Sequence, residues 1–155
     1  MSLRPAEPED AGAIARLHRL TTRVSLPFLP ELHTPEEDLW FFSHRLLREN
    51  ETWVAETGGM ITGYVAFNPD WISHLFVHPD HQGQGLGGVL LAKVLADGRP
   101  RQLWTFQANS RARAFYEARG FTLVRLTDGA DNEEKTPDAL YAWAGGLAST
   151  GGETT

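Results

Sequence analysis

The segment Leu75-Phe76-Val77-His78-Pro79-Asp80-His81-Gln82-Gly83-Gln84-Gly85-Leu86-Gly87-Gly88 carries most of the information in this 155-residue chain. Leu75 to Val77 ends an apolar run from Trp71 that reads as a strand, and His78-Pro79 stops it. Four glycines follow, and then a helix with Leu86, Val89, Leu90, Lys93 and Val94 on or near one face, closed by Gly98 and Pro100. A glycine-rich turn entering a helix leaves first-turn N–H groups unpaired at the positive end of the helix dipole, where a phosphate can be held. Glycine also lets the backbone approach the oxygens with no Cβ in the way. A turn that only needs positive φ angles would use the same residues. A Walker loop would continue as Gly-Lys-Ser/Thr, whereas this helix continues Leu86-Gly87-Gly88-Val89. Gly83 to Gly88 also meets the glycine spacing of a dinucleotide fold, but the next strand ends at Gln107 instead of an acid.

Outward from this segment, the chain alternates between helical and strand periods. Leu3-Arg4 is a short strand, and Ala11, Ile14, Leu17 and Leu20 predict a helix over about residues 9–21. Pro27, Pro30 and Pro35 break the connection that follows. Thr34-Pro35-Glu36-Glu37 is a helix start with a capping box, leading to an apolar face of Leu39, Phe42 and Leu46. Trp53 to Glu56 and Ile61 to Phe67 form a hairpin about Gly58-Gly59. Beyond the glycine segment lie a strand at Leu103 to Phe106, a helix capped by Asn109 and stopped by Gly120, and strands at Phe121 to Leu126 and Ala139 to Trp143. This β-α-α-β-β-β-α-β-α-β-β order predicts an α/β layered sheet with helices on both faces.

Composition narrows the classes. The length suits one domain, expected over residues 1–144, with a Gly/Ser/Thr-rich flexible tail at 145–155. No run approaches the roughly 20 apolar residues of a membrane span, and the first residues lack the apolar core of a secretory signal. There is no cysteine, so disulfides and thiolate nucleophiles are excluded. Fourteen basic against twenty acidic side chains argue against a nucleic-acid binder. A cytoplasmic protein fits these features.

Gln82-Gly83-Gln84-Gly85-Leu86-Gly87 resembles the Arg/Gln-x-x-Gly-x-Gly/Ala signature of the GNAT superfamily of acetyl-CoA-dependent N-acetyltransferases. Asn109, Ala112, Phe115-Tyr116-Glu117 and Gly120-Phe121 resemble that family's later helix and its exit. The resemblance implies a mixed, mostly antiparallel sheet of about seven strands. It would be splayed between strand 71–77 and strand 103–107, with about four helices. It implies that the amides of Gln82, Gly83, Gln84, Gly85, Leu86, Gly87 and Gly88 bind the pyrophosphate of acetyl-CoA. The backbone of Leu75, Phe76 and Val77 would pair with the pantetheine arm like an added strand. Asn109 would hydrogen-bond that arm, or simply cap its helix, and Phe115 would pack on it. Arg111 and Arg113 would reach the 3′-phosphate or stay solvated. Tyr116 matches the tyrosine that protonates the departing thiolate. Family members often carry a carboxylate base on the strand before the turn, yet Trp71-Ile72-Ser73-His74-Leu75 has none. His74 is the nearest substitute, as a base or as a plain strand histidine.

The resemblance places acceptor binding on the early helices, the hairpin and the last strand pair. Phe28, Trp40, Phe41 and Phe42 are expected mostly in the core, with one of them lining the acceptor pocket. The loop Asp128 to Asp138 holds five carboxylates against one lysine, which suits either solvent or a cationic acceptor. A small-molecule or peptide amine is thus the expected partner, with no nucleic acid, membrane or metal, and a homodimer is compatible with these features. The alternative is a non-catalytic acyl-CoA-binding or sensing module.

Overall fold

Along Gly63-Tyr64-Val65-Ala66, successive side chains must point to opposite faces of a sheet, and every one of them is buried. The computed structural model, which describes residues 1–146, meets this demand with a helix on each face. Its residues fall into two compact units, Met1–Asn68 with Ile72–Val94, and Pro69–Trp71 with Leu95–Thr155. The tail expected at 145–155 lies, from residue 147 on, outside the described residues.

The first unit is built on an antiparallel sheet in the order β1-β2-β3-β4, formed by Ser2–Pro5, Glu51–Thr57, Met60–Phe67 and Ile72–Val77. Val54, Tyr64 and Ala66 face helix α1 (Ala11–Ser25), and with Ile14, Leu17, Phe42 and Leu46 they form a buried apolar cluster. The capping box expected at Thr34 and Glu37 opens α2 (Pro35–Phe41), which runs without a break into a π-helical stretch, Phe42–Leu46, and a last turn, α3 (Leu47–Glu49). On the opposite face, Gly63 lies under Leu86 and Leu90 of α4 (Leu86–Leu95), and Lys93 of α4 sits 3.8 Å above the Trp53 ring.

The second unit has the antiparallel order β5-β7-β6, formed by Arg101–Phe106, Asp138–Trp143 and Thr122–Thr127, with α5 (Ser110–Glu117). Trp71 adds a parallel bridge to Gln102. Arg101 is buried, and its guanidinium grips both Asp97 oxygens at 2.9 and 3.0 Å. That ion pair draws the Asp97 carboxyl down to about 2.

The described residues thus hold seven strands in two antiparallel sheets, and the element order matches the sequence reading. Two expectations need correction. Helix α1 runs four residues beyond the predicted end, to Ser25, because nothing before Pro27 interrupts it. Of the early aromatics only Phe42 is in the core; Phe28, Trp40 and Phe41 are 41%, 55% and 40% exposed. Phe42 and Leu46, four apart, are enough to cover the sheet, so the residues just before them fall on other sides of the helix.

Position 63 is a tight contact between the sheet and α4. A Cβ there would stand 3.1 Å from Leu90 Cδ1 and 3.2 Å from the Phe76 carbonyl oxygen. Gly63→Val should therefore destabilise the fold by about 1–3 kcal/mol through overpacking. Urea unfolding of the variant and the parent protein would measure it.

Candidate active site

Among the described residues, strand β4 has a strand neighbour in its sheet on one side only. His78 N–H bonds to the Thr62 carbonyl at 2.8 Å, and the register continues through Gly63–Val77, Tyr64–Phe76 and Val65–Leu75. Antiparallel ladders alternate bonded and non-bonded pairs, so Phe76 shares its backbone groups with Tyr64, while Leu75 and Val77 turn theirs to the open edge. Of the three residues expected to offer backbone to an added strand, Leu75 and Val77 have theirs on the open side. The geometry reassigns Phe76 to the sheet, and its ring goes to the α1 face. The Val77 carbonyl on the open side accepts a hydrogen bond from Gln82 Nε2 at 3.0 Å. Gln82 thereby ties the turn to the strand, a role that its place in the motif did not reveal.

The turn itself has the geometry that the glycines suggested. Gly83 and Gly85 adopt φ of 80° and 84°, where a side chain would be strained. A Cβ at Gly85 would meet nothing within 4 Å, so the surface there is open. The Gly85 carbonyl accepts from Val89 N–H at 3.1 Å and starts the ladder of α4. The amides of Leu86, Gly87 and Gly88 precede the first bonded one and lie at the positive end of the helix. These residues fit a pyrophosphate: backbone donors, open space and no competing carboxylate on the turn.

His74 lies in a cluster that the sequence reading missed. Its Nδ1 is 2.9 Å from the hydroxyl of fully buried Tyr64. The His18 ring centroid lies 5.2 Å away, Phe76 at 5.6 Å, Phe42 at 5.7 Å and Phe41 at 6.3 Å. Burial among these rings draws His74 down to about 3, aided by His18, and draws His18 down to about 4. The alternation of β3 and the helical phase of α1 could have put Tyr64 and His18 on this face, but nothing in the sequence paired them with His74.

In the second unit, α5 carries the other matched residues. Asn109 Oδ1 accepts from Ala112 N–H at 3.2 Å and caps the helix. Phe115 is half-buried under Arg119, whose guanidinium carbon lies 3.9 Å from the ring centroid. Tyr116 is buried against Phe115 and Phe121, and burial raises its phenol above the ordinary value. Arg113 is committed to the Tyr141 hydroxyl at 3.0 Å, which also donates to Glu117, whereas Arg111 is exposed. The acidic loop is organised from within. Asp128 accepts from Ala130 N–H, and Asp138 accepts from Asn132 and from the Thr127 hydroxyl. Among the described residues no group of three or more His, Asp or Glu could hold a metal ion. No helix among them is long and apolar enough to cross a membrane.

Comparison with known proteins places the chain in a family. The profile of the acetyltransferase (GNAT) family matches residues 15–121. The L-amino acid N-acyltransferase MnaT of Escherichia coli is 31% identical over 110 residues, 64% of this chain and 63% of that protein. The chain thus spans just under two thirds of the length of that relative. A probable N-acetyltransferase of Mycobacterium tuberculosis is 32% identical over 138 residues, 77% of this chain and 78% of its own length. The structure of yncA from Salmonella typhimurium, solved with its cofactor acetyl-CoA, superposes with a TM-score of 0.70 at 21% identity, covering 92% and 91% of the two chains.

The two depressed histidines make stability depend on pH in a definite direction. Below about pH 6.5 the unfolded chain binds a proton on each, while the folded chain does not until about 4 at His18 and 3 at His74. Their contribution is therefore complete above pH 6.5 and is lost as the pH falls towards 4. Urea unfolding at pH 6.5 and 5 should show a loss of roughly 2 kcal/mol per histidine. That loss should shrink by about half in His18→Gln or His74→Gln.

Proposed function

Since the chain belongs to the acetyltransferase (GNAT) family, we propose that it transfers the acetyl group of acetyl-CoA to a primary amine by direct attack on the thioester. The observation that carries this reading is the open glycine turn of Gln82 to Gly88, joined to the free edge of β4. In this reading the turn amides hold the pyrophosphate. The outward N–H and C=O groups of Leu75 and the outward N–H of Val77 align the pantetheine arm as an extra strand, while the Val77 carbonyl is held by Gln82. Phe115 packs on that arm and Asn109 hydrogen-bonds it; Asn109 Oδ1 caps its own helix, and its amide nitrogen has no hydrogen-bond partner among the described residues.

The reaction is aminolysis. The amine nitrogen bonds to the thioester carbonyl carbon, the carbon–sulfur bond breaks, and the sulfur leaves with the electron pair. Tyr116 gives that sulfur a proton and is restored from solvent. A phenol above its ordinary pKa of about 10 is protonated at neutral pH, the state a proton donor needs. The amine must lose one proton, and His74 is the expected base on sequence grounds. A histidine drawn down to about 3 would take a proton from an ammonium group only uphill, so in this reading the ammonium gives its proton to bulk solvent and the amine attacks in its neutral form. The acceptor is a small-molecule or peptide amine, and MnaT, named for L-amino acids, is a relative of that kind. A single domain working without a metal completes the reading.

Two variants test it. Acetyl-CoA should raise the melting temperature of the parent protein, as any ligand of the native state does. Gly85→Glu, which places a carboxylate in the open space of the turn, should abolish that protection. Gly85→Ala carries the same backbone strain without the charge and should keep most of it. Protection surviving in a folded Gly85→Glu protein would remove the cofactor from this turn. Tyr116→Phe keeps the ring and deletes the donor, so kcat should fall about 10²- to 10⁴-fold with acetyl-CoA affinity kept. Near-normal turnover, with chemistry rate-limiting, would exclude Tyr116 as the acid.

A further inference from the structure

Tyr64 is fully buried, and its hydroxyl has a single hydrogen-bond partner among the described residues, His74 Nδ1 at 2.9 Å. Burial also keeps the phenol protonated, so it has a hydrogen to place. A ring nitrogen of a neutral imidazole is either a donor or an acceptor. If Nδ1 carried the hydrogen, the phenol O–H would point at nothing inside the protein, a costly arrangement. Both groups are satisfied only when Tyr64 donates and Nδ1 accepts, which puts the imidazole hydrogen on Nε2. His74 Nε2 has no hydrogen-bond partner among the described residues and is not one of their fully buried unpaired atoms, and the residue as a whole is only partly buried.

We infer that Tyr64 is a positioning residue that holds His74 as an Nε2–H hydrogen-bond donor, and that the acceptor is an amine carrying a carbonyl or carboxylate oxygen beside an apolar group. The acceptor half of this inference rests on the acetyl transfer proposed above, with His74 adjoining Leu75 on β4; the tautomer half does not. A donor cannot serve the attacking nitrogen, because occupying the lone pair would block attack on the thioester. It serves an oxygen elsewhere on the acceptor. The walls around His74 are the rings of His18, Phe41, Phe42 and Phe76, which suit an apolar body next to that oxygen. The charges facing the cluster are Asp38 and Arg19, and they pair with each other at 2.8 Å. No net charge is left there to select a cation. The cluster thus favours an amino acid or a peptide amino terminus over a polyamine, and the two are told apart below.

Two measurements on the full chain decide it. Long-range proton–nitrogen correlation spectra of histidine-labelled protein, between about pH 5 and 8, report which nitrogen is protonated. We expect His74 with bare Nδ1 and protonated Nε2, and both tautomers once Tyr64→Phe removes the donor. A protonated Nδ1 in the parent protein overturns the inference. The second measurement is acetylation of leucine, leucinamide and isoamylamine. Leucine and leucinamide should be acetylated, and His74→Ala should raise their KM about tenfold, the loss of one hydrogen bond, without moving the acidic limb of the pH profile. His74→Gln, whose amide can donate in its place, should recover most of it, and isoamylamine should be indifferent to either change. Activity on leucine alone assigns a carboxylate, and activity on both assigns any carbonyl oxygen, as at a peptide terminus. Isoamylamine as the preferred acceptor, no activity on leucine or leucinamide, or equal losses on all three, overturns the acceptor class. Failure of acetyl-CoA to protect the parent protein would instead remove the transferase reading and leave the tautomer result standing.

Discussion

The space above Gly63 is the constraint from which the first unit is built. A Cβ at that position would press on Leu90 and on the Phe76 carbonyl, so α4 can lie against β3 only where β3 has no side chain. One residue later the pleat turns over, and Tyr64 fills the opposite face with the largest apolar body that β3 offers. The glycine turn that begins α4 and the aromatic cluster beside α1 therefore share one strand, with β4 carrying both along its length. Strand β4 ends at the turn through Val77 and Gln82, and one face of it supplies His74 and Phe76 to the cluster.

Burial determines the chemistry that each titratable group can offer. His18 and His74 are held neutral at pH 7, and Tyr64 and Tyr116 are held protonated. A strand histidine near neutral pH looks like a base when it is read alone. Surrounded by rings and bonded through Nδ1, it becomes a neutral donor. The same desolvation that draws His74 down raises Tyr116, so the imidazole is neutral and the phenol protonated at neutral pH. Opposite charges in the first unit pair off at the periphery, as Arg19 with Asp38 and Arg4 with Asp10, and leave the cluster without a net charge.

Most of the fold was legible because its signals are local. The Thr34 capping box, the Gly58-Gly59 hairpin, the glycine turn and the Asn109 cap each act within a few residues, and each appears where the sequence placed it. The period-two and helical patterns likewise ordered the strands and helices. The early aromatics were read as core because hydrophobicity alone cannot tell which sides of a helix are covered. Phe42 is inside, and Trp40 and Phe41, one and two residues away, are not. The sequence by itself therefore determined the element order and the glycine turn, which depend on short-range backbone geometry, and, through the resemblance of two short motifs, the family. Only the tertiary structure decided that Tyr64, His18 and His74 share one face, that Phe76 gives its backbone to the sheet, and that Gln82 clasps Val77. Those relations depend on strand register and on burial, which bring together residues tens of positions apart and change their acidity. No local pattern encodes either.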